Sequence, residues 1–331
     1  MKKYQNPGFS VAPMMDWTDR HCRVFHRLLA PHARLYTEMV HAQAVIHGDR
    51  ERLLGFDPVE HPLALQLGGS DPGHLAQATR IGADWGYDEV NLNVGCPSDR
   101  VQAGRFGACL MKEPALVADA VAAMIAAAPA HLPVTVKCRL GVDEMEDYDV
   151  FRAFVDSVAA AGCTHFVVHA RKAWLQGLSP KENREIPPLR YDWVYRLKRE
   201  CSHLRIEING GLATVEDVQA VLPQVDGVMI GRAAYHEPYR LHLMDRALFA
   251  PAQPPCDRAE LLESMRPYVE ACLSRGIALK HQSRHWLGLF HGQPGGRIFR
   301  QVLSEGAPRA DADWSVVERA LAATREARAP A

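Results

Sequence analysis

No window of this 331-residue chain approaches the ~18 consecutive apolar residues that span a bilayer. The most apolar stretch, ALVADAVAAMIAAAPA (115–130), contains Asp119, with Pro114 before it and Pro129 near its end. It reads as a helix packed on one face. The N-terminus, MKKYQNPGFSVAP, has two lysines but no apolar core, so a cleaved secretory leader is not expected. Charge of one sign is also missing. Lys and Arg number 38 against 39 Asp and Glu, for a net charge of -1. That excludes a uniformly basic nucleic-acid coat but leaves room for a local basic face. The eight cysteines (22, 96, 109, 138, 163, 201, 256 and 272) include no C-x-x-C pair, which argues against zinc and any other bound metal. A chain this long without a leader has no need of a disulfide framework, and its cysteines read as mostly small buried hydrophobes in a reducing cytoplasm. An early G-x-G-x-x-G is absent as well.

What is present is a recurrent alternation. Short runs rich in β-branched residues fall at 9–13, 34–40, 62–69, 89–97, 133–141, 164–172, 205–212 and 227–234. Helical segments separate them, among them 71–86, 114–128, 147–162, 191–202 and 214–222. Strand then helix, repeated eight times over roughly 240 residues, predicts an α/β fold of the (β/α)8 TIM-barrel type. A doubly wound open sheet is the alternative, because periodicity does not show closure. Ser70 or Asp71 with Pro72 predicts one helix start, and Thr214 with Asp217 a weaker capping box. Gly82, Gly86 and Gly162 read as helix stops. After about residue 244 the strands end. RALFAPAQPPCD (246–257) reads as a linker, and 258–275, 277–290 and 314–328 as helices. The expected organisation is a catalytic barrel over 1–244 and a smaller helical domain over 245–331.

In such barrels the chemistry sits at the C-terminal ends of the strands. Those ends here carry Pro13, Met14 and Met15; Gln66; Asn93 and Cys96; Lys137 and Arg139; His169 and Arg171; Asn209, Gly210 and Gly211; and Gly231 and Arg232. A lone His or Lys at a strand end is ordinarily structural. Lys137 and His169, however, both lie inside buried runs, where an unpartnered charge or imidazole is costly. The glycines after the seventh and eighth strands suit a phosphate, since backbone N–H groups converge there. A phosphorylated cofactor across the barrel mouth follows, and flavin mononucleotide (FMN) fits, with Lys137 placed to stabilise its reduced form.

The stretches VAPMMDWTDRHCR, YTEMV, LQLGGSDP, EVNLNVGCPSDRV, GRFGACLM, VKCRLGVD, VVHARKAWLQGLSPKENREIPPL, INGG and MIGRAAY follow one another along nearly the whole chain. Together they resemble the tRNA-dihydrouridine synthases. HARKAWLQGLSPKENREIPPLRYDWVY resembles in particular the DusA subfamily, which acts at positions 20 and 20a of the tRNA D-loop. The resemblance implies an FMN enzyme that takes electrons from NADPH, or less well NADH, and reduces uridine to 5,6-dihydrouridine. Hydride would pass from reduced FMN to C6 and a proton from Cys96 to C5. FMN would be held by Pro13, Met14, Met15, Gln66, Lys137, His169, Asn209, Gly210 and Gly211, with Gly231 and Arg232 completing a phosphate cradle. Asn93 would contact the target uridine, and Gly95 and Pro97 would fix the turn that presents Cys96. A thiol near its ordinary pKa of about 8.5 is a suitable acid for that proton.

The target base lies in a folded tRNA and must be turned out into the site, which calls for a wide basic surface. Arg171, Lys181 and Arg184 would supply part of it. Residues 271–304 contain Arg275, Lys280, Arg284, Arg297, Arg300 and three histidines but no Asp or Glu, and imply a second basic face, with Arg297 and Arg300 matching where the family touches tRNA. The expected partner is tRNA, the expected state a cytoplasmic monomer. Three rivals remain on the residues alone: a flavin barrel for a free pyrimidine, a non-catalytic RNA-binding barrel, and an aldolase using Lys137 as a Schiff base. The basic C-terminal segment argues against the first and the intact Cys96, Lys137 and His169 against the second, and flavin colour would exclude both the second and the third.

Overall fold

The computed structural model describes residues 8–327. Residues 1–7, which hold the two lysines of the leader reading, and 328–331, the last of the expected second domain, lie outside them. Eight parallel strands form one sheet: β1 Gly8–Val11, β2 Leu35–His41, β3 Leu63–Gly68, β4 Glu89–Val94, β5 Val134–Cys138, β6 His165–His169, β7 Arg205–Asn209 and β8 Gly227–Ile230. From β2 to β8 each strand pairs with its neighbours in sequence, and β1 pairs with β8. The seam between β1 and β2 is closed by a Ser10–Arg34 bridge. There Val11 N–H donates to the Arg34 carbonyl at 2.9 Å and Arg34 N–H to the Phe9 carbonyl at 2.8 Å. The sheet is therefore a barrel, and the open-sheet alternative is excluded.

Successive strand side chains point alternately to the helices and to the barrel interior. The helix-facing set is apolar. Leu65, Leu92, Val136, Phe166, Ile206 and Val228 are buried with Val121 and Met124 of the helix Pro114–Ala127 and Phe154 and Val158 of the helix Tyr148–Ala160. Each such side chain contributes about 1.5–3 kcal/mol on burial, so this outer layer carries most of the stability. The inward set is different. Apart from a small cluster of Ala12, Tyr36, Ala64, Val167 and Met229, it consists of buried polar groups, including Ser10, Gln66, Glu89, Asn91, Asn93, Thr135, His169, Glu207 and Asn209. Barrels of this class usually fill that space with Val, Ile and Leu.

Local signals place the helices. Asp71, not Ser70, caps the helix Pro72–Asp84, accepting the His74 N–H at 2.7 Å. Thr214 and Asp217 form the reciprocal box, at 3.1 and 2.9 Å. Gly86 and Gly162 end their helices at φ 91° and 104°. Gly82 does not. It lies within its helix, where a Cβ would come 2.8 Å from Leu65 Cδ2, so it is a close-packing residue and not a stop.

After β8 the helix Tyr239–Phe249 runs through the 244/245 junction. The expected helix 258–275 is two, Arg258–Glu263 and Arg266–Ser274, with Pro267 in the first turn of the second. The expected helix 277–290 is also corrected: only Lys280–Ser283 is α-helical. Beyond it the chain turns through i to i+3 bonds, such as Trp286 N–H to the Ser283 carbonyl at 3.0 Å. Gly288 packs so tightly on His236 that a Cβ would sit 2.0 Å from that carbonyl oxygen, so no residue with a side chain fits there. The helix Gly296–Gly306, which the sequence reading missed, follows and packs Phe299 and Leu303 into the core alongside Trp314–Glu326.

This helical region is fastened to the β1 loop. Asp19 caps the helix Arg20–Leu29 through the Cys22 N–H at 2.9 Å, receives Arg284 Nη2 at 2.5 Å, and lies 3.0 Å from His285 Nε2. Burial alone would raise the Asp19 pKa, but His285, the Cys22 N–H and Arg284 hold it well below the usual carboxylate range. Beside this clasp Trp17 stacks on Tyr235, with centroids 4.4 Å apart and planes within 6°. No helix of the described residues is long and apolar enough to cross a membrane.

Candidate active site

Because all eight strands run the same way, their C-terminal ends share one rim. Register sets Lys137 beside Asn93 and His169 beside Asn209. Cys96 follows β4 by two residues. Its turn is held by Asn93, whose Oδ1 accepts the backbone N–H groups of Gly95 at 3.1 Å and Cys96 at 3.0 Å. From outside, Arg139 Nε donates to the Gly95 carbonyl at 2.9 Å, and the Cys96 carbonyl accepts the Ala108 N–H at 2.9 Å. Gly95 itself is not what the turn requires: a Cβ there would meet nothing closer than 3.5 Å. Gly107 is required, since its φ is 75° and a Cβ would come within 2.5 Å of the Cys96 carbonyl oxygen. The half-buried Cys96 thiol lies 3.5 Å from Ser98 Oγ. The oxygen of Asn93 is thus committed to shaping this turn, leaving one amide N–H for a ligand.

Across the mouth, Lys137 Nζ donates to Asn209 Oδ1 at 3.2 Å, and Asn209 Nδ2 to the Met229 carbonyl at 2.8 Å. Burial, reinforced by the charge of Arg139, brings the Lys137 ammonium down to about 8. His169 is buried, and its surroundings together with Arg139 and Lys137 push it well below 6.5. Its imidazole is neutral at pH 7, and its ring nitrogens have no hydrogen-bond partner among the described residues. Gly210 and Gly211 turn at φ 113° and 75°. A Cβ at Gly210 would lie 2.7 Å from His169 Cδ2, so only glycine lets the backbone pass this ring. Tyr191 OH closes the turn from outside by donating to the Gly210 carbonyl at 2.5 Å.

The segment after β6 forms one wall. Asn183, wholly buried, donates to the carbonyls of Trp174 and Leu178 at 2.8 and 3.1 Å and accepts the Trp174 N–H at 2.7 Å. Arg139 Nη1 reaches the carbonyls of Lys172 and Asn183 at 3.1 and 2.8 Å. One buried guanidinium therefore ties this wall to the cysteine turn. Arg171 donates to the Pro187 carbonyl, and so braces the loop from within. Lys181 and Arg184 are exposed on it, and the charge of Arg184 reaches Lys137, Arg139 and His169. Arg232 pairs with Glu185 at 2.5 Å, so its guanidinium is engaged with that loop. Met14 packs on the inward cluster, and Met15 is 53% exposed beside it.

The second basic face is smaller than its composition suggests. Arg284 is spent on Asp19, and His285 is buried. Arg297 and Arg300 stand exposed on the helix Gly296–Gly306, with no ion-pair partner among the described residues. Sequence reasoning passed over Glu89, Asn91, Thr135 and Asn183. The signal for the first three was there: E-x-N-x-N in β4 and T-x-K-x-R from β5 place a polar group at every second position of strands that are otherwise fully apolar.

The mouth fits FMN on three observations: a neutral, unpartnered imidazole, a half-buried ammonium beside it, and a turn of two positive-φ glycines that brings bare backbone against that imidazole. No group of three or more His, Cys, Asp or Glu is placed to hold a metal ion among the described residues.

Comparison with known proteins shows the family. The dihydrouridine synthase (Dus) family model matches residues 10–327. A tRNA-dihydrouridine(20/20a) synthase of Xanthomonas axonopodis pv. citri is 70% identical over 95% of this chain and 93% of that protein. One of Synechocystis sp. is 56% identical over 97% of this chain and 95% of its own length. Among solved structures, an old yellow enzyme homologue from Zymomonas mobilis superposes with a TM-score of 0.53 at 13% identity, covering 76% of this chain and 90% of that one, a likeness of fold. The chain belongs to the dihydrouridine synthase family.

Proposed function

We propose that this chain reduces uridines at positions 20 and 20a of the tRNA D-loop to 5,6-dihydrouridine, with FMN as its cofactor and NADPH, or less effectively NADH, as reductant. The observation that carries this reading is the meeting of the Cys96 turn with Lys137, His169 and the Gly210–Gly211 turn at one barrel mouth. The 70% identity to a protein of that name supports the choice of substrate.

Pro13, Met14, Met15, Gln66, Lys137, His169 and Asn209 to Gly211 would hold FMN, with Gly231 and Arg232 at its phosphate. Bound FMN supplies the hydride that goes to C6 of the uracil. As C6 accepts it, negative charge develops at C5 and the adjoining carbonyl oxygen. Cys96 answers that charge: its S–H bond breaks as the C5–H bond forms, and the thiolate regains a proton from solvent. The remaining N–H of Asn93 can hold a carbonyl of the base while its oxygen fixes the thiol's turn. Neutral His169 offers a ring N–H without adding a charge. Lys181 and Arg184 flank the mouth, and Arg297 and Arg300 give phosphates a second footing, so binding should weaken steeply with salt. The purified protein is expected to be yellow and to restore dihydrouridine at positions 20 and 20a in a strain lacking it, mapped on individual tRNAs. Colourless protein, or modification elsewhere in the D-loop, overturns the reading.

Lys137 gives a pH dependence. A base loses its charge as pH rises through its pKa, so Lys137, at about 8, is cationic below that value and neutral above it. An ordinary lysine stays charged to about 10.4. Bleaching of the bound flavin by NADPH, a half-reaction that needs no proton from Cys96, is therefore expected to slow above pH 8. In Lys137→Arg the charge persists, and the decline should move beyond pH 10. A decline unchanged in that variant assigns it to another group.

A further inference from the structure

A chain of hydrogen bonds donated in one direction runs from Cys96 down the inside of the barrel. The Cys96 backbone N–H donates to Asn93 Oδ1 at 3.0 Å, and Asn93 Nδ2 to Gln66 Oε1 at 2.9 Å. Gln66 Nε2 donates to Asn91 Oδ1 at 2.8 Å, and Asn91 Nδ2 to Thr135 Oγ1 at 2.8 Å. Thr135 Oγ1 donates to Glu89 Oε1 at 2.6 Å, which Tyr36 OH also meets at 2.6 Å. Arg34 pairs with the other Glu89 oxygen. Gln66, Glu89, Asn91 and Thr135 are wholly buried. Burial alone would raise the Glu89 pKa, but Arg34 and then His165 hold it below the usual range.

The direction has a cause. An ionised carboxylate only accepts, so Thr135 must donate to Glu89 and turn a lone pair to Asn91. That lone pair takes an N–H, which points the Asn91 oxygen at Gln66. Gln66 meets it with nitrogen and is left with its oxygen facing Asn93, which meets it with nitrogen in turn. Flipping any one amide would set like against like at both neighbours in a buried site, where unmade hydrogen bonds are costly.

We propose that Glu89, at the floor of the barrel, sets the polarity of its mouth: through Thr135 and Asn91 it fixes Gln66 and Asn93 so that each offers its second amide N–H, and not an oxygen, to the ligand. Glu89, Thr135 and Asn91 are positioning residues, acting on the mouth only through Gln66 and Asn93. The arrangement selects ligands rich in carbonyl oxygens, which both the flavin ring and uracil are. This inference rests on the function proposed above.

Thr135→Val tests it, because Val keeps the shape, suits a strand flanked by Val134 and Val136, and removes only the hydroxyl. With the relay cut, FMN should bind at least fivefold more weakly to the full-length protein. The midpoint potential should shift by at least a tenfold change in relative binding of the two redox states, about 30 mV for a two-electron couple. The kcat on tRNA should fall about tenfold with KM within twofold. Thr135→Ser, which restores the hydroxyl, should return all three to within twofold of wild type. A Val variant with wild-type affinity and potential overturns the relay while leaving the proposed function standing. A wild-type protein that binds no FMN overturns both. Should Val not fold, Thr135→Ala carries the same measurements. Loss of fold in both, with full function in Thr135→Ser, assigns the hydroxyl to stability alone and also overturns the relay.

Discussion

Cys96→Ala is expected to lower dihydrouridine formation on tRNA by about 10²–10⁴-fold, the range lost with a well-placed general acid. The drop should fall on kcat. Asn93 grips residue 96 by its main-chain N–H, at 3.0 Å, and alanine keeps that N–H, so the turn survives and KM for tRNA should stay within a few-fold. Bleaching of bound flavin by NADPH should be unchanged, since it needs no proton from this side chain. Ser98, whose oxygen lies 3.5 Å from the sulfur, is no substitute, and Cys96→Ser should recover little: an alcohol is a far weaker acid than a thiol of pKa about 8.5. The measurement is single-turnover reduction of a tRNA transcript by pre-reduced enzyme. Wild-type rates in Cys96→Ala would remove the thiol from the proton step.

Arg139→Met is expected to be the most disruptive change at the site that touches no ligand. The guanidinium is buried and donates to three carbonyls, those of Gly95, Lys172 and Asn183, at 2.9, 3.1 and 2.8 Å. Methionine fills the space of the stem but leaves those oxygens without their charged donor. Hydrogen bonds to charged groups contribute about 1.5–3 kcal/mol each and do not add fully, so a loss of about 3 kcal/mol is expected. At about 2 °C per kcal/mol for a large domain, Tm should fall roughly 6 °C. Activity should fall more than stability suggests, because one side chain aligns both the cysteine turn and the wall after β6. Arg139→Lys should not rescue either, since a single ammonium cannot span three acceptors in that geometry. Tm and kcat within error of wild type would show that the two loops hold their places unaided.

The barrel was legible in the sequence because each strand is short and apolar and is followed by a helix, several with their own cap; Thr214 with Asp217 reads the same in both. The residues of the mouth were legible because Lys137 and His169 interrupt apolar runs. The interior was not, because apolar flanks such as Val90 and Leu92 dominate the appearance of β4 and mask Asn91 between them. Composition also misled around residue 284: an acid-free segment reads as a free basic face, but Asp19, 265 residues away along the chain, neutralises part of it. Long-range pairing of that kind leaves no local trace. The helix 277–290 also failed: beyond Ser283 the chain turns through i to i+3 bonds, and Gly288, the one local sign, is held against His236 by a contact remote in sequence.

The Asp19 clasp bears on where the work of catalysis is done. The loop that delivers Met14 and Met15 to the mouth, and the helical region that presents Arg297 and Arg300, are joined through one half-buried carboxylate, Asp19, held between Arg284 and His285. The mouth and the outer footing thus share a frame with a fixed span between them. A tRNA that touches both at once cannot draw them together. The strain of bringing an unstacked base to Cys96 is then borne by the RNA elbow, and transcripts whose D-loop opens easily should be modified first.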